Sequence, residues 1–310
     1  MTKQRFFIII CTLYAVLCTP VFAPLQAQSQ LAIGVRGGGQ LWLPKTTDGA
    51  TEVHGTMGGD GLLDIRYAYL GRVGQSFELG ATAGIGLGYG GAGIHGKSSA
   101  AFTNIDYLGN TMNYTTSATF RQKESFARMD VSLMLAMRAG GFVLNIGPRL
   151  MVPFAAQSKL TIDEATIAAY YPQYKVTVTN EIITGVLETP YQTPITNHQS
   201  PITLLLGLEA GYEFPVGNNA LGIQAFADLG LWTSRSPITD NPSPLISVSP
   251  ITDIGTPAEV TVGSPDALVS SRRLVDFGLR VYYAFSFGRS QDKHGHATDT
   301  KLHHNRYRTF

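Results

Sequence analysis

The chain has 310 residues, a formal net charge of +1 at pH 7 and 15% charged residues. Because the net charge is close to zero, electrostatics favours neither a nucleic acid nor a strongly anionic surface as a partner. The low share of charged residues, together with 34 glycines, departs from the composition of an average soluble domain. Both cysteines, Cys11 and Cys18, lie near the amino terminus, so the rest of the chain offers no thiol for a disulfide, a metal site or a nucleophile.

Residues 1–27 predict a secretory signal peptide. Lys3 and Arg5 precede an apolar run at residues 6–17, and a stretch with small residues follows. We expect cleavage after Ala27, because Pro24 disfavours cleavage after Ala23. Beyond this signal, no segment approaches the roughly 18 apolar residues that a membrane-spanning helix needs. A membrane-embedded form of the protein would therefore have to cross with strands.

Eight segments alternate apolar and polar or small residues with a period of two. The clearest is residues 77–89, where every second residue from Phe77 to Tyr89 is apolar. Successive side chains of a strand point to opposite faces, so each segment predicts a strand with one apolar face. In chain order the predicted strands are residues 31–43, 60–70, 77–89, 127–138, 142–154, 202–214, 221–232 and 275–287.

The links between these strands alternate in length. The second, fourth and sixth links have about six residues or fewer, whereas the other four run from about 15 to nearly 50 residues. This rhythm is typical of an outer-membrane barrel with short periplasmic turns and long external loops. Residues 28–288 therefore predict an all-β fold, an eight-stranded antiparallel transmembrane up-and-down β-barrel with long extracellular loops. An even number of strands places both termini in the periplasm.

The last strand carries a polar-x-Gly-x-x-hydrophobic-x-aromatic pattern followed by two more aromatics, at Asp276, Gly278, Val281, Tyr283, Phe285 and Phe287. With this pattern and the loop rhythm, residues 31–287 resemble the OmpA/OmpX-like family of small outer-membrane barrels, particularly the variants of Bacteroidetes-type bacteria. The resemblance implies the outer membrane of a Gram-negative bacterium, contact with outer-membrane lipid or lipopolysaccharide, and recognition by the barrel-assembly machinery. It also allows a role beside another envelope or secretion protein. Residues 289–310 predict a polar, disordered periplasmic tail.

A soluble lipocalin-type barrel is the alternative fold, and the distribution of charge separates the two. All eight lysines lie outside the predicted strands, although a soluble sheet would use lysine on its wet face. The polar face instead holds six arginines and seven acidic residues, close to the neutrality that an enclosed lumen requires. We predict that they form a structural ion-pair network, and they are Arg36, Asp64, Arg66, Glu78, Arg128, Asp130, Arg138, Arg149, Glu209, Glu213, Asp228, Asp276 and Arg280.

Aromatic residues cluster where the predicted strands meet the short turns. This is the position of an interfacial aromatic girdle in a membrane barrel. The members are Tyr69, Phe77, Phe142, Phe214, Phe285 and Phe287.

The long loops are the expected working part of the protein, since binding usually lies on loops. Residues 107–120 could extend a barrel hairpin above the membrane, residues 163–169 predict a helical turn, and residues 175–179 predict a short strand. The first hypothesis is a non-enzymatic structural or interaction protein of the envelope, with no cofactor, catalytic site or metal site.

Two alternatives stay open. The first is a lipid- or peptide-modifying enzyme that uses a loop histidine as its base, with His54, His95 and His198 as candidates. The second is a narrow channel, although the interior of an eight-stranded barrel is just wide enough to be filled by side chains. The tail histidines could capture a metal ion, but no carboxylate or thiol surrounds them.

Overall fold

The computed structural model describes residues 27–46, 52–73, 77–105, 108–179, 191–195, 202–233, 245–248, 260–263 and 265–287. Apart from Ala27, the predicted signal peptide lies outside the described residues, and so do His198 and the predicted tail.

Twelve strands and one short 3-10 helix make up the secondary structure of the described residues. In chain order they are β1 (Ala27–Thr46), β2 (Val53–Arg72), β3 (Phe77–Ile105), β4 (Thr111–Ala139), β5 (Phe142–Tyr171), β6 (Val176–Thr179), β7 (Tyr191–Ile195), β8 (Thr203–Val216), β9 (Asn219–Thr233), β10 (Ile246–Val248), β11 (Val260–Val262), the 3-10 helix (Pro265–Leu268) and β12 (Val269–Phe287). Among these residues, no helix has the length and apolar character that crossing a membrane requires.

Eight of the strands close into a barrel. Each of β1, β2, β3, β4, β5, β8, β9 and β12 pairs antiparallel with the next in this order, and β12 pairs back with β1. The hydrogen-bond ladder is therefore a closed ring, which leaves the barrel wall without an edge. The predicted all-β, eight-stranded antiparallel barrel is confirmed.

The short turns are as expected. Only Gly140 and Gly141 separate β4 from β5, and both adopt positive φ, as the favoured two-residue hairpin turns require. Gly217, also with positive φ, and Asn218 connect β8 to β9.

The predicted lengths of the long loops are wrong for the first half of the chain. Residues 90–105 continue β3 and residues 111–126 begin β4, so the link between these strands is only residues 106–110. The hairpin expected at residues 107–120 does extend the barrel, but it begins at residue 90 and not at residue 107. The predicted helical turn at residues 163–169 is also wrong, because the segment belongs to β5, whereas the predicted strand at 175–179 is present as β6.

The outer face of the barrel carries an apolar belt. On β4 the outward side chains from Ala127 to Met137 are apolar, and they span roughly 25 Å for a tilted strand. Within this belt none of the described outward positions is charged, and the six predicted girdle aromatics are exposed at the end where the short turns lie. Exposed Tyr89, Phe154 and Trp232 lie near the opposite end of the belt.

The prediction that every lysine lies outside the strands is wrong. Lys45, Lys97, Lys123 and Lys159 are strand residues, since the strands are longer than expected. All four are exposed and lie beyond the apolar belt, so the belt itself remains free of lysine.

Candidate functional site: the filled barrel and the projecting sheet

A chain of ion pairs fills the barrel at the level of the apolar belt. Its members come from β1, β2, β4, β5, β8, β9 and β12, and each is joined to at least one other by a nitrogen–oxygen contact within 4 Å. We call this set the lumen network, and it comprises Arg36, Asp60, Asp64, Arg66, Arg128, Asp130, Arg149, Glu209, Asp228, Asp276 and Arg280.

Glu209 is the centre of the lower part of the lumen network, which is the part nearer the short turns. Its carboxylate accepts hydrogen bonds from Arg66 through both terminal nitrogens and from Arg149 Nη2 at 2.5 Å. Asn145 Nδ2 donates a further bond at 3.3 Å, and the Glu209 side chain is fully buried. Arg66 continues to Asp64, 2.7 Å from its Nε. These contacts therefore tie the three strands β2, β5 and β8 together at one level of the barrel.

Asp276 links the upper part of the lumen network. Its Oδ2 accepts from Arg36 Nη2 at 2.9 Å and from Arg128 Nη2 at 3.0 Å. Arg128 Nη2 also donates to Asp60 Oδ2 at 2.7 Å. Asp60 was not among the predicted lumen residues, although it lies an even number of positions from Asp64 on the same strand. Asp60 is the first residue of the predicted second strand, so the alternation within that strand already places it on the face of Asp64.

The remaining predicted network residues lie nearer the short turns. Arg138 Nη2 and the hydroxyl of Tyr282 both donate to Glu213 Oε1, at 2.8 and 2.7 Å. Glu78 and Arg138 are half-buried and border a cavity of about 380 Å³ at this mouth of the barrel. In the described part of the chain no ion pair joins Glu78, so the structure places it beside the network and not within it.

Inward-facing glycines make room for these large side chains. A Cβ atom on Gly84 would lie 2.6 Å from Arg66 Cγ, and one on Gly222 would lie 2.1 Å from Tyr282 Cζ. The guanidinium of Arg36 in turn lies 3.6 Å from the centroid of the Phe226 ring, and that of Arg280 lies 4.2 Å from the Tyr282 centroid. The alternation of glycine and arginine on the inner face is therefore a packing requirement.

On the side of the lumen network that faces away from the short turns, here called above it, the interior becomes apolar. Side chains from several strands are fully buried there, and β10, β11 and the 3-10 helix contribute to the same cluster. The residues nearest the network include Trp42, Phe126, Met151, Leu205 and Leu274. This apolar plug as a whole was not predicted, because many of its members, including Phe120, Leu160 and Ile246, lie in segments that the sequence predicts as loops. Trp42, Met151 and Leu205 lie in predicted strands.

A second charged pair is embedded above the belt. Arg272 donates to Glu124, which also accepts from Gln122 Nε2 at 3.1 Å. Gln122 Nε2 contacts Ser158 Oγ at 3.0 Å. The sequence does not predict this pair, because the predicted fourth, fifth and eighth strands end short of these residues.

We use the name projecting sheet for residues 90–105 of β3, 111–126 of β4 and 155–171 of β5. Its inner face belongs to the apolar plug, whereas its outer face is mostly polar. The alternation continues from the belt along β3 and β4, whereas on β5 it shifts at two irregularities, opposite Phe126–Ala127 and Thr119–Phe120. On β4 this polar face runs from Thr111 to Ser125, so it extends roughly 35 Å beyond the belt.

Charged residues mark the outer face of the projecting sheet. Arg121 donates from Nε and Nη2 to the two oxygens of Asp163, at 2.9 and 2.6 Å. These bonds lower the pKa of Asp163 below its ordinary value and raise the pKa of Arg121. Lys123 and Lys159 are direct register partners, exposed on the same face, and like charges directly opposite each other are unfavourable without an anion.

The structure brings together two of the three candidate histidines. His54 on β2 and His95 on β3 are register partners, and their ring centroids are 5.6 Å apart. Thr56 Oγ1 lies 3.2 Å from His95 Nδ1. Both imidazoles are exposed, and in the described residues no carboxylate forms a hydrogen bond with either of them. The arrangement lacks the orienting acid of a nucleophilic triad.

No protein-family model matches this sequence, and no curated protein does. Among solved structures, the chain is similar to Ail, the attachment invasion locus protein of Yersinia pestis, determined in complex with the heparin analogue sucrose octasulfate. The identity is 10%, the TM-score is 0.28, and the match covers 84% of this chain and 99% of Ail.

A second similar structure is the outer membrane protease OmpT from Escherichia coli. Here the identity is 8%, the TM-score is 0.26, and the match covers 86% of this chain and 98% of OmpT. At these TM-scores neither likeness carries an argument about function. The eight-stranded antiparallel barrel fold rests on the closed ring of strand pairs.

Proposed function

We propose that this protein is a non-enzymatic interaction protein of the outer membrane of a Gram-negative bacterium, which presents the projecting sheet to a partner in a surface or secretion assembly. The barrel anchors the sheet in the lipid. The membrane assignment is supported by the uncharged apolar belt and by its aromatic edges, because exposed apolar surface of this extent is unfavourable in water.

The proposed orientation follows from the turns. The short turns of outer-membrane barrels face the periplasm, so both ends of the barrel chain lie there and the projecting sheet points outward from the cell. The positions of the lysines agree with this orientation, since Lys45, Lys97, Lys123 and Lys159 all lie on the proposed outer side of the belt.

Lipid contact is part of the proposal. The Lys123 and Lys159 side chains lie about four residues above the end of the belt, at the level of lipid headgroups, and their adjacent positive charges favour a phosphate. Replacing both by Gln is expected to weaken binding of lipopolysaccharide to the purified barrel, whereas Lys97→Gln on the same face serves as the control. Equal binding by all three proteins would contradict this contact.

The observation that carries the proposal is the polar outer face of the projecting sheet, which continues beyond the apolar belt. A barrel that served only as an anchor would not need extended strands whose inner face packs into the apolar plug, with β6 and β7 paired beside them on β5. Of the described strands, only β4 pairs with β3 beyond Gly96, so the backbone of residues 98–105 offers a sheet edge on its other side. An ordered polar face and an edge strand suit recognition of another protein better than chemistry does.

Photo-crosslinking in intact cells tests the proposal. A crosslinkable residue at Thr115, on the outer face of the projecting sheet, is expected to yield a reproducible protein adduct. The matched position is Leu133, on the same face of the same strand but within the belt, and it should yield none. Absence of an adduct at Thr115, together with normal envelope integrity after gene deletion, would contradict the proposed role.

The two alternatives receive less support. An enzyme would need a base and an orienting carboxylate to converge, and among the described residues no carboxylate forms a hydrogen bond with His54 or His95. A channel would need a polar path, but the apolar plug closes the interior above the lumen network. Unchanged lipid profiles and proteolysis after replacing His54, His95 and His198 would exclude the enzyme.

A further inference from the structure

The exposed histidine pair on the outer side of the barrel has the geometry of a metal site. His54 and His95 lie directly opposite each other on adjacent antiparallel strands, so their side chains project from the same face of the sheet. Two imidazole nitrogens bound at about 2.0 Å to one tetrahedral ion place their ring centroids roughly 5 Å apart. The observed separation of 5.6 Å is close to this value.

We propose that His54 and His95 together bind one divalent transition-metal ion, of the class Zn²⁺, Cu²⁺ or Ni²⁺, whose other ligands are water. Imidazole suits these ions, and it does not suit Mg²⁺ or Ca²⁺, which prefer oxygen ligands. The two backbones are held in register by the β2–β3 ladder, so the protein loses little conformational entropy when the ion binds.

Thr56 prepares one of the two ligands. Its hydroxyl lies 3.2 Å from His95 Nδ1. In the tautomer where Nδ1–H donates to this hydroxyl, the lone pair of Nε2 is free for the metal, which is the usual arrangement of a metal-binding histidine. Thr56 is therefore a positioning residue for the site.

The charges around the pair permit a cation. Arg121 is the register partner of His95 on β4, but its guanidinium is engaged by both oxygens of Asp163. Lys97 lies two residues beyond His95 on the same face, and Glu52, whose backbone oxygen accepts from Lys97 N, lies two residues before His54. Lys123 pairs with Gly93, two residues before His95 on the same face, and adds a further positive charge. The neighbouring charges therefore comprise the carboxylates of Glu52 and Asp163 and three basic groups, and the site faces water where an ion can enter.

The test must separate this pair from the other five of the seven histidines in the chain. A background variant replaces the remaining five by Gln: His198, His294, His296, His303 and His304. Titration of this purified variant with Zn²⁺ in detergent is expected to show one bound ion at pH 7.5. The ion should be released towards pH 5.5, because a metal-bound imidazole must be unprotonated.

Single replacements in this background locate the ion. His54→Gln and His95→Gln should each lower the affinity for Zn²⁺ at least tenfold, Thr56→Val should lower it several-fold, and Ser99→Ala, on the same face of β3, should leave it unchanged. Cu²⁺ should broaden the nuclear magnetic resonance signals of residues near 54 and 95. No Zn²⁺ binding by the background variant, or undiminished binding after His54→Gln, would overturn the proposal. Neither result would bear on the partner expected at Thr115.

Discussion

Removal of the Glu209 charge provides the sharpest test of the lumen network. Glu209→Gln keeps the shape of the side chain but leaves Arg66 and Arg149 without the carboxylate that they share. Breaking a buried ion pair by removing one partner typically costs about 3–5 kcal/mol, because an uncompensated charge remains.

The lower end of that range applies here. Arg66 Nε keeps Asp64 at 2.7 Å and Arg149 Nη1 keeps Asp228 at 2.6 Å, so neither guanidinium loses every partner. We expect Glu209→Gln to lower the free energy of unfolding by about 3 kcal/mol. Adding Arg149→Met removes a positive charge as well. The double variant should therefore lose at least ~1 kcal/mol less free energy of unfolding than the two single variants lose together.

Reversible urea unfolding of the barrel in lipid vesicles measures these differences. The fluorescence of Trp42, buried above the lumen network, reports on the interior. The matched control is Asp163→Asn, which removes a carboxylate from an arginine pair on the exposed sheet and should cause a much smaller loss than Glu209→Gln. If Glu209→Gln were no more destabilising than this control, the network would not stabilise the barrel as reasoned here.

Three further predictions concern packing, conduction and titration. Gly222→Ala should destabilise the barrel by about 1–3 kcal/mol in the same unfolding assay, because its Cβ would overlap the Tyr282 ring, whereas Gly61→Ala, with no atom within 4 Å, should be neutral. Planar-bilayer recording should show no single-channel steps, since the apolar plug closes the interior, and regular steps would refute that reasoning. The carboxyl of Asp163 should titrate below its ordinary range, and its stabilising effect, present above the pKa of the unfolded chain, should be lost as the pH falls through its lowered folded pKa. An Arg121→Gln variant should return that pKa to its ordinary value in a nuclear magnetic resonance titration, and an unchanged pKa would contradict the pairing.

The alternation of residues determined the core of this fold without any coordinates. Because the side-chain period of a strand is two, the position of Phe77, Leu79 and Ile85 on one face could be predicted, and so could the inward position of Arg66 and Glu209. The number of strands followed from counting these segments. The arginine and carboxylate totals also indicated an enclosed, nearly neutral interior before any contact was known.

Only the tertiary structure decided how far the strands continue and which groups meet. Residues 90–105 contain many small and polar residues, which also suit a loop, and they are held as strand by pairing with β4 across the link. For the same reason Glu124 and Arg272, separated by 148 positions, could not be recognised as a pair. The opposition of His54 and His95 likewise depends on the register between β2 and β3, because one residue of slip would turn either imidazole to the other face.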